Sequence, residues 1–404
     1  MRTSPHRFER DRRYPGPGVY FEEAAPGEAE RIVTGRPAFL GVTAPVSSTG
    51  NPEASGAFRP RWLTRWDQFA EQFGEAGTGA FLGDAVRAFF ANGGTACVIL
   101  AFPLDERARR GEDDAAWRAS VLGCLERLER VADIDLVCAP DLPSAEHARL
   151  DLQRAILGHC KSMGDRFAIL DPRPGSTVEQ VVAQWHELVS PDGALYFPWL
   201  LTAAATNPIP PCGHVAGVYA RTDARHGVHK APANEVVAGV VDVGVPVTDD
   251  QQRLLSDVGV NSVRAFPGRG IRVWGARTLS GRAEWRYVNV RRLFLSMRRW
   301  IEDRSRDLVF EPHDLLLWNR VRDRLSSYCY GMFQSGTLRG GTAEEAFYVK
   351  CDAETNPPAA RERGEVIAEV GLAAARPAEF IVVRVTQSAA GASLVLVPRT
   401  TEGS

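Results

Sequence analysis

Apolar and polar positions along this chain follow two periods, and the alternation between them predicts most of its elements. Pro37–Val42 (PAFLGV) is a short apolar strand. Ala96–Phe102 (ACVILAF) is a continuous apolar run, the pattern of a strand covered on both faces. Between them, Thr64–Phe73 sets Trp66, Phe69 and Phe73 near one helical face, with Thr64 as its expected N-cap. Phe81–Phe90 is a second amphipathic helix that stops at Asn92-Gly93-Gly94. From Trp117 a regular rhythm sets in. Helices are expected over Trp117–Val131, Ser144–Met163, Thr177–Val189 and Thr248–Val258, with another beginning at His214–Ala220. Strands are expected over Ile134–Ala139, Arg166–Leu170, Ala194–Trp199 and Val236–Val243. Strands alternating with helices of this length imply crossover units and a largely parallel sheet.

The pattern changes after Val260. Val260–Phe266, Ile271–Thr278 and Trp285–Val290 read as strands, and two long helices follow, Arg291–Arg306 and Asp314–Gln334. The remainder, Ala346–Cys351, Glu365–Leu372, Glu379–Thr386 and Ala392–Pro398, is strand and turn. The fold class expected is therefore α/β followed by α+β.

One stretch stands apart. Tyr14–Glu23 (YPGPGVYFEE) holds a single short strand signal, Val19–Glu23, behind a charged leader and in front of another loop. A lone strand cannot satisfy its own backbone groups. It must pair with a sheet formed elsewhere in the chain or in another copy of it.

Composition narrows the class of protein. The chain has 404 residues, 44% hydrophobic and 24% charged, which is ordinary globular material with enough apolar surface for a large core. A net charge of −2 gives no general attraction to nucleic acid or to an anionic membrane. No apolar run approaches the ~20 residues of a membrane-spanning helix, and the first residues lack the apolar segment of a signal peptide. The seven cysteines form no CxxC pair and most sit in apolar strand or helix patterns, which fits buried thiols in a reducing cytoplasm.

Catalytic signatures are missing: no phosphate-binding G-x-x-x-x-G-K-[ST], no G-x-S-x-G, no H-E-x-x-H. Gly268-Arg269-Gly270 lies between two strands and reads as a hairpin turn. Asp141 and Asp171 follow two parallel strands, at the sheet edge where ligands of open α/β folds bind. They can be read as a metal or general-base pair of a cytosolic enzyme, or as turn residues. Cys212, His214, His226 and His229 match no compact zinc spacing. From Arg286 to Arg306, arginines outnumber acids, and Arg291 and Arg292 recur two turns on as Arg298 and Arg299. That face is either solvated or docks on an acidic partner. Arg320, Arg322 and Arg324 make a second basic candidate.

Eight segments in series resemble the contractile tail sheath family of phages, R-type bacteriocins and phage-like injection systems. They are PGPGVYFEE, the Thr64–Gly74 segment, the Phe81–Leu100 helix and strand, Ala194–Trp199, Gly227–Glu235 (GVHKAPANE), Arg272–Thr278 (RVWGART), Tyr287–Ile301 and Pro377–Val385. His229 stands where the family usually has Trp, and the chain lacks the large surface insertions of bigger phage sheaths. It is similar to a minimal sheath.

The resemblance implies a structural protein with no enzymatic activity, cofactor or metal. It implies an N-terminal arm over 1–23, an inserted outer α/β domain over 24–255, an inner α+β domain over 256–386 built from both chain ends, and a C-terminal arm over 387–404. Subunits would assemble in the cytoplasm into stacked six-membered rings, a helical homo-oligomer around an inner tube, with baseplate and terminal cap proteins as further partners. Neighbouring copies would exchange strands through Val19, Tyr20, Phe21 and Glu22 and through Ile381, Val383, Leu394 and Leu396. The inner tube would be met by Arg291, Arg292, Arg298, Arg299, Arg320 and Arg324. Neither direct nucleic-acid binding nor membrane insertion is implied. A tail adaptor sharing the inner domain is the remaining structural alternative.

Overall fold

Alternate residues of the strand Pro37–Thr43 (β1) enter two different cores: Ala38, Leu40 and Val42 face one, Phe39 the other. Cys97–Pro103 (β3) repeats this, with Val98, Leu100 and Phe102 on one side and Cys97, Ile99 and Ala101 on the other. A strand with a period of two can be apolar throughout only if both faces of its sheet are covered. The computed structural model describes residues 32–43, 58–73, 80–304, 311–374, 379–388 and 391–397. The arm residues Val19, Tyr20, Phe21 and Glu22 lie outside the described residues.

In chain order the first half comprises β1, β2 (Arg61–Leu63), α1 (Asp67–Phe73), α2 (Leu82–Ala91), β3, α3 (Glu106–Arg109), α4 (Asp114–Leu128), β4 (Leu136–Cys138), α5 (Glu146–Met163), β5 (Phe167–Leu170), α6 (Val178–Glu187), β6 (Gly193–Phe197) and β7 (Leu200–Thr202). Then come α7 (Cys212–His226), β8 (Glu235–Val236), β9 (Val240–Val243), α8 (Asp249–Val258), β10 (Asn261–Phe266), β11 (Gly270–Trp274) and α9 (Val288–Arg304). The last part is α10 (Leu315–Gln334), α11 (Ala343–Ala346), β12 (Phe347–Lys350), α12 (Pro358–Glu362), β13 (Val366–Leu372), β14 (Ile381–Ser388) and β15 (Gly391–Leu396).

Among the described residues, the large sheet has the order β2-β3-β1-β4-β5-β6-β10-β11-β8. Its centre is parallel, and β2, β11 and β8 close its flanks antiparallel. Helices α4, α5, α6 and α8 cover one face, and α1, α2, α7 and α9 the other. Helices α2 and α7 cross very closely. A Cβ on Gly213 would lie 2.3 Å from the Ala85 carbonyl oxygen, and one on Gly217 2.5 Å from that of Phe89. Two glycines four residues apart on one helical face let the two backbones approach.

The second core belongs to a four-stranded antiparallel sheet, β12-β13-β14-β15, covered on one face by α9 and α10. Helix α9 is shared: Val288 and Leu295 enter the core under the large sheet, whereas Val290, Leu293, Phe294, Met297, Trp300 and Ile301 enter the second core.

Several expectations are corrected. Trp285–Val290 is not a strand, since α9 already begins at Val288. Val236–Val243 is split by Gly239 at φ 79° into β8 and β9, which pair in different sheets. Thr64 does not cap α1, which begins at Asp67; its amide instead donates to Gln68 Oε1 at 2.7 Å. The expected boundary at 255/256 falls inside α8, and the strands beyond it still belong to the large sheet, because β10 pairs with β6 and β11 with β10. The strand after Val260 looks unlike its predecessors because it leads into a hairpin at the sheet's flank, with Gly268 and Gly270 at positive φ.

Candidate assembly surfaces

The second sheet offers backbone edges. Among the described residues, β12 and β15 each pair on one side only. Of the residues proposed for strand exchange, Ile381 and Val383 point into the core from β14. That strand is engaged on both sides, seven residue pairs with β13 and six with β15, so it is not an edge. Leu394 and Leu396 lie on the edge strand β15, half-buried against the same core, and Val395 on its opposite face is 61% exposed. An edge strand held by one neighbour has a second row of N–H and C=O groups open to another chain.

The basic face of α9 is mostly used inside the subunit, which corrects its reading as a surface. Arg292 is 2% exposed. Its Nη1 and Nη2 donate to Asp223 of α7 at 3.0 and 2.5 Å, and Nη2 also donates to Asp135 at 2.8 Å. Its guanidinium lies 4.9 Å from the Tyr219 ring centroid. Burial opposes its charge, but Asp223 and Asp135 outweigh that and hold the guanidinium protonated. Asp135 also accepts the amides of Gly35 and Arg36, at 3.0 and 2.7 Å. Arg291 places Nε and Nη2 on the buried Asp192 at 2.9 and 2.7 Å. Arg298 pairs with Glu302 at 3.1 Å and is only partly exposed. Arg299 is half-buried and donates to the Val33 carbonyl at 3.0 Å. On α10, Arg320 pairs with Glu311 and is half-exposed, while Arg324 is half-buried and donates to the Arg304 carbonyl. Of the six arginines, Arg320 therefore remains at the surface, and Arg291, Arg298, Arg299 and Arg324 are half-buried. The sequence sign was spacing: Arg292 lies four residues from both Val288 and Ser296, and these too are buried.

Asp141 and Asp171 are structural caps, and the reading as an enzyme with a carboxylate-bound metal is withdrawn. Asp141 Oδ1 accepts the Phe81 amide at 2.6 Å, and Oδ2 accepts those of Val42 and Leu82 at 2.9 and 3.2 Å. It thus ties the end of β1 to the start of α2. Asp171 Oδ1 accepts the Cys212 amide at 2.8 Å at the start of α7. Burial pushes Asp141 up to about 6 and Asp171 to about 7, against the hydrogen bonds that favour the ionised forms. Among the described residues, no group of three or more His, Cys, Asp or Glu could hold a metal ion.

Three of the recognised segments meet at one junction. In GVHKAPANE, the Asn234 amide donates to the Val273 carbonyl at 2.7 Å, and Arg272 Nη1 returns a bond to the Asn234 carbonyl at 2.7 Å. Asn289, from YVNVRR, donates to the His229 carbonyl at 2.8 Å. His229 Nδ1 in turn meets Thr337 Oγ1 at 3.1 Å. The junction links β8 and β11 at the flank of the large sheet to α9 and to the loop after α10.

Comparison with known proteins agrees with this architecture. Residues 120–279 match the phage tail sheath protein central domain, and residues 281–388 the phage tail sheath C-terminal domain. The join between the two lies after β11, as the sheet topology does. A chain of the anti-feeding prophage (AFP) baseplate is 32% identical, with a TM-score of 0.70 over 91% of this chain and 97% of that one. A chain of an extracellular contractile injection system, the PVC sheath complex in its contracted state, is 30% identical, with a TM-score of 0.70 over 93% and 98%. The tail sheath protein of Vibrio phage KVP40 is 27% identical over 177 residues, 43% of this chain and 26% of that protein. The matched stretch is thus about a quarter of the phage protein's length. Two consecutive sheath domains and a near full-length match at 30–32% identity place the chain in the phage tail sheath family, a family of structural proteins and not of enzymes.

Proposed function

We propose that this chain is the sheath subunit of a phage-tail-like contractile injection system. It polymerises as a helical homo-oligomer of stacked hexameric rings around an inner tube and contracts to drive that tube through a target envelope. The observation that carries this reading is the match along nine-tenths of the chain to subunits of a six-fold baseplate and of a contracted sheath.

Strand exchange supplies the mesh. Residues 1–23 act as an arm that adds a strand to the second sheet of a neighbouring copy, with β12 and β15 as its open edges, whereas most of the expected C-terminal arm 387–404 already serves its own sheet as the end of β14 and as β15. Such contacts are heterologous and do not close along the axis, the geometry that makes filaments. The outer part is the large α/β sheet, the inner part the second sheet with α9 and α10. Arg320, with the half-buried Arg299 and Arg324, supplies basic groups for an acidic inner tube. Surface pairs each contribute only about 0–1 kcal/mol, so they can release when the packing changes. Baseplate and terminal cap proteins bound the polymer, and assembly takes place in the cytoplasm.

Negative-stain images of the purified protein, with and without its inner tube, test this. Long striated tubes are expected. Discrete rings under every condition would overturn the sheath reading in favour of an adaptor.

A further inference from the structure

We propose that the free edge of the large sheet at β2 docks an extended acidic segment of a partner protein, through unpaired arginines interleaved with tryptophan. Strand β2 ends the sheet and, among the described residues, pairs with β3 alone. An edge strand held on one side has a second row of backbone N–H and C=O groups open to another chain. This edge belongs to the large sheet and is separate from the edges at β12 and β15.

The side chains around the edge are basic. Residues 58–66 read FRPRWLTRW, and of these only Leu63 is buried. It enters the core beside Cys97 and so fixes β2 on β3. Arg59, Arg61 and Arg65 are exposed, as is Arg87 of α2. Two arginines from outside the segment stack on its tryptophans: Arg36 lies 5.9 Å from the Trp62 ring centroid, and Arg87 lies 4.8 Å from that of Trp66. Trp62 is still 43% exposed, a large ring left at the surface. None of these five arginines has a carboxylate within ion-pair distance among the described residues. The acids of the flanking helices, Asp67 and Glu71 on α1 and Asp84 on α2, are fewer and pair with none of them.

The arrangement selects the occupant. Like charges facing each other across a strand pair are unfavourable, so two β2 edges repel one another. A strand rich in glutamate or aspartate sets its acids beside the guanidiniums while its backbone extends the sheet. A nucleic acid would meet the arginines and stack on Trp62, but it brings no peptide groups to pair with the open edge. The net charge of −2 also gives the chain no general attraction to a polyanion.

Fluorescence anisotropy of a labelled peptide of alternating glutamate and valine, titrated with the full chain, tests the surface. Saturable binding that weakens as salt is raised is expected. A peptide with glutamine in place of glutamate lacks the charge, and one interrupted by proline lacks backbone donors; each should bind about tenfold more weakly. Arg61→Gln combined with Arg65→Gln should weaken binding of the acidic peptide about tenfold. Arg253→Gln, on an exposed face of α8, should bind as the parent chain does. Absence of saturable binding with a Kd below about 1 mM overturns the proposal, as does equal binding by the parent chain and the double variant. Equal binding of the proline-containing peptide overturns pairing with the strand edge. Tighter binding of a labelled oligothymidylate would make the patch a nucleic-acid surface instead. Salt-sensitive self-association that the double variant loses would make the occupant a second copy and overturn a separate partner.

Discussion

Arg292 of α9 and Asp223 of α7 meet in the interior through two hydrogen bonds, at 3.0 and 2.5 Å, and neither side chain is more than 3% exposed. A fork on a carboxylate is the strongest form of this contact. It joins the helix shared by both cores to the layer beneath the large sheet. Arg292→Met leaves Asp223 and Asp135 buried without a countercharge and should destabilise the subunit by about 3–5 kcal/mol in urea unfolding. Adding Asp223→Leu should recover part of that loss, because the pair would be replaced by apolar contact. Unchanged stability in the single variant would show that the cluster is not an ionic one.

The two capping carboxylates make stability depend on pH. Burial pushes the Asp171 carboxyl up to about 7 in the folded chain, from about 3.9 when unfolded. The folded state therefore holds the proton more tightly. The contribution is fully present below about pH 4 and is lost as pH rises through about 7. Burial depresses His159 and His214 to about 4, which acts in the opposite sense over the same window. Comparison with Asp171→Asn isolates the carboxylate, since the amide oxygen can still accept the Cys212 N–H. Relative to the parent, the variant's urea midpoint should rise between about pH 4 and 7 by the equivalent of roughly 1–4 kcal/mol. Parallel pH profiles for the two proteins would refute the assignment.

The close crossing of α2 and α7 leaves no room for a side chain. Gly217→Leu should cost about 1–3 kcal/mol or more through overpacking. Gly281→Ala, where a Cβ would meet nothing within 4 Å, should leave the melting temperature unchanged. Equal melting of the two variants would mean that the helices can separate freely.

Removal of residues 1–20 should leave a folded subunit that forms no long tubes, because the donated strand is gone. Electron microscopy showing normal sheaths from that truncation would refute strand exchange by this arm.

Charge reversal at Arg299 and Arg320 should weaken co-sedimentation with the inner tube more than self-assembly, with no loss of thermal stability. Equal losses in both assays would argue against a tube contact.

The α/β rhythm was legible because buried strands and amphipathic helices have distinct periods. The helices expected from Thr177 and Thr248 do start there, and both threonines form capping boxes with the glutamine three residues on. The apolar patterns around most of the seven cysteines also pointed to burial, and all seven are buried. Long-range pairing was not legible. Val236–Val243 is one apolar run, yet its halves hydrogen-bond to different partners, and Trp285–Val290 reads as strand although tertiary packing makes its end helical. The arginines of α9 misled for the same reason. A run of basic residues marks a surface only when no acid from a distant segment reaches it, and Asp135, Asp192 and Asp223 come from elsewhere in the chain.

Helix α9 has no free side along its first three turns, because one stripe is packed under the large sheet and the other under the small one. It therefore behaves as an axle fixed at both bearings. A torque applied to the small sheet reaches the large one without a soft joint between them, since bending the axle would open two cores and pull a buried arginine off two carboxylates. Compliance in any assembly of this subunit must then reside in the threads between copies and not within the copies themselves.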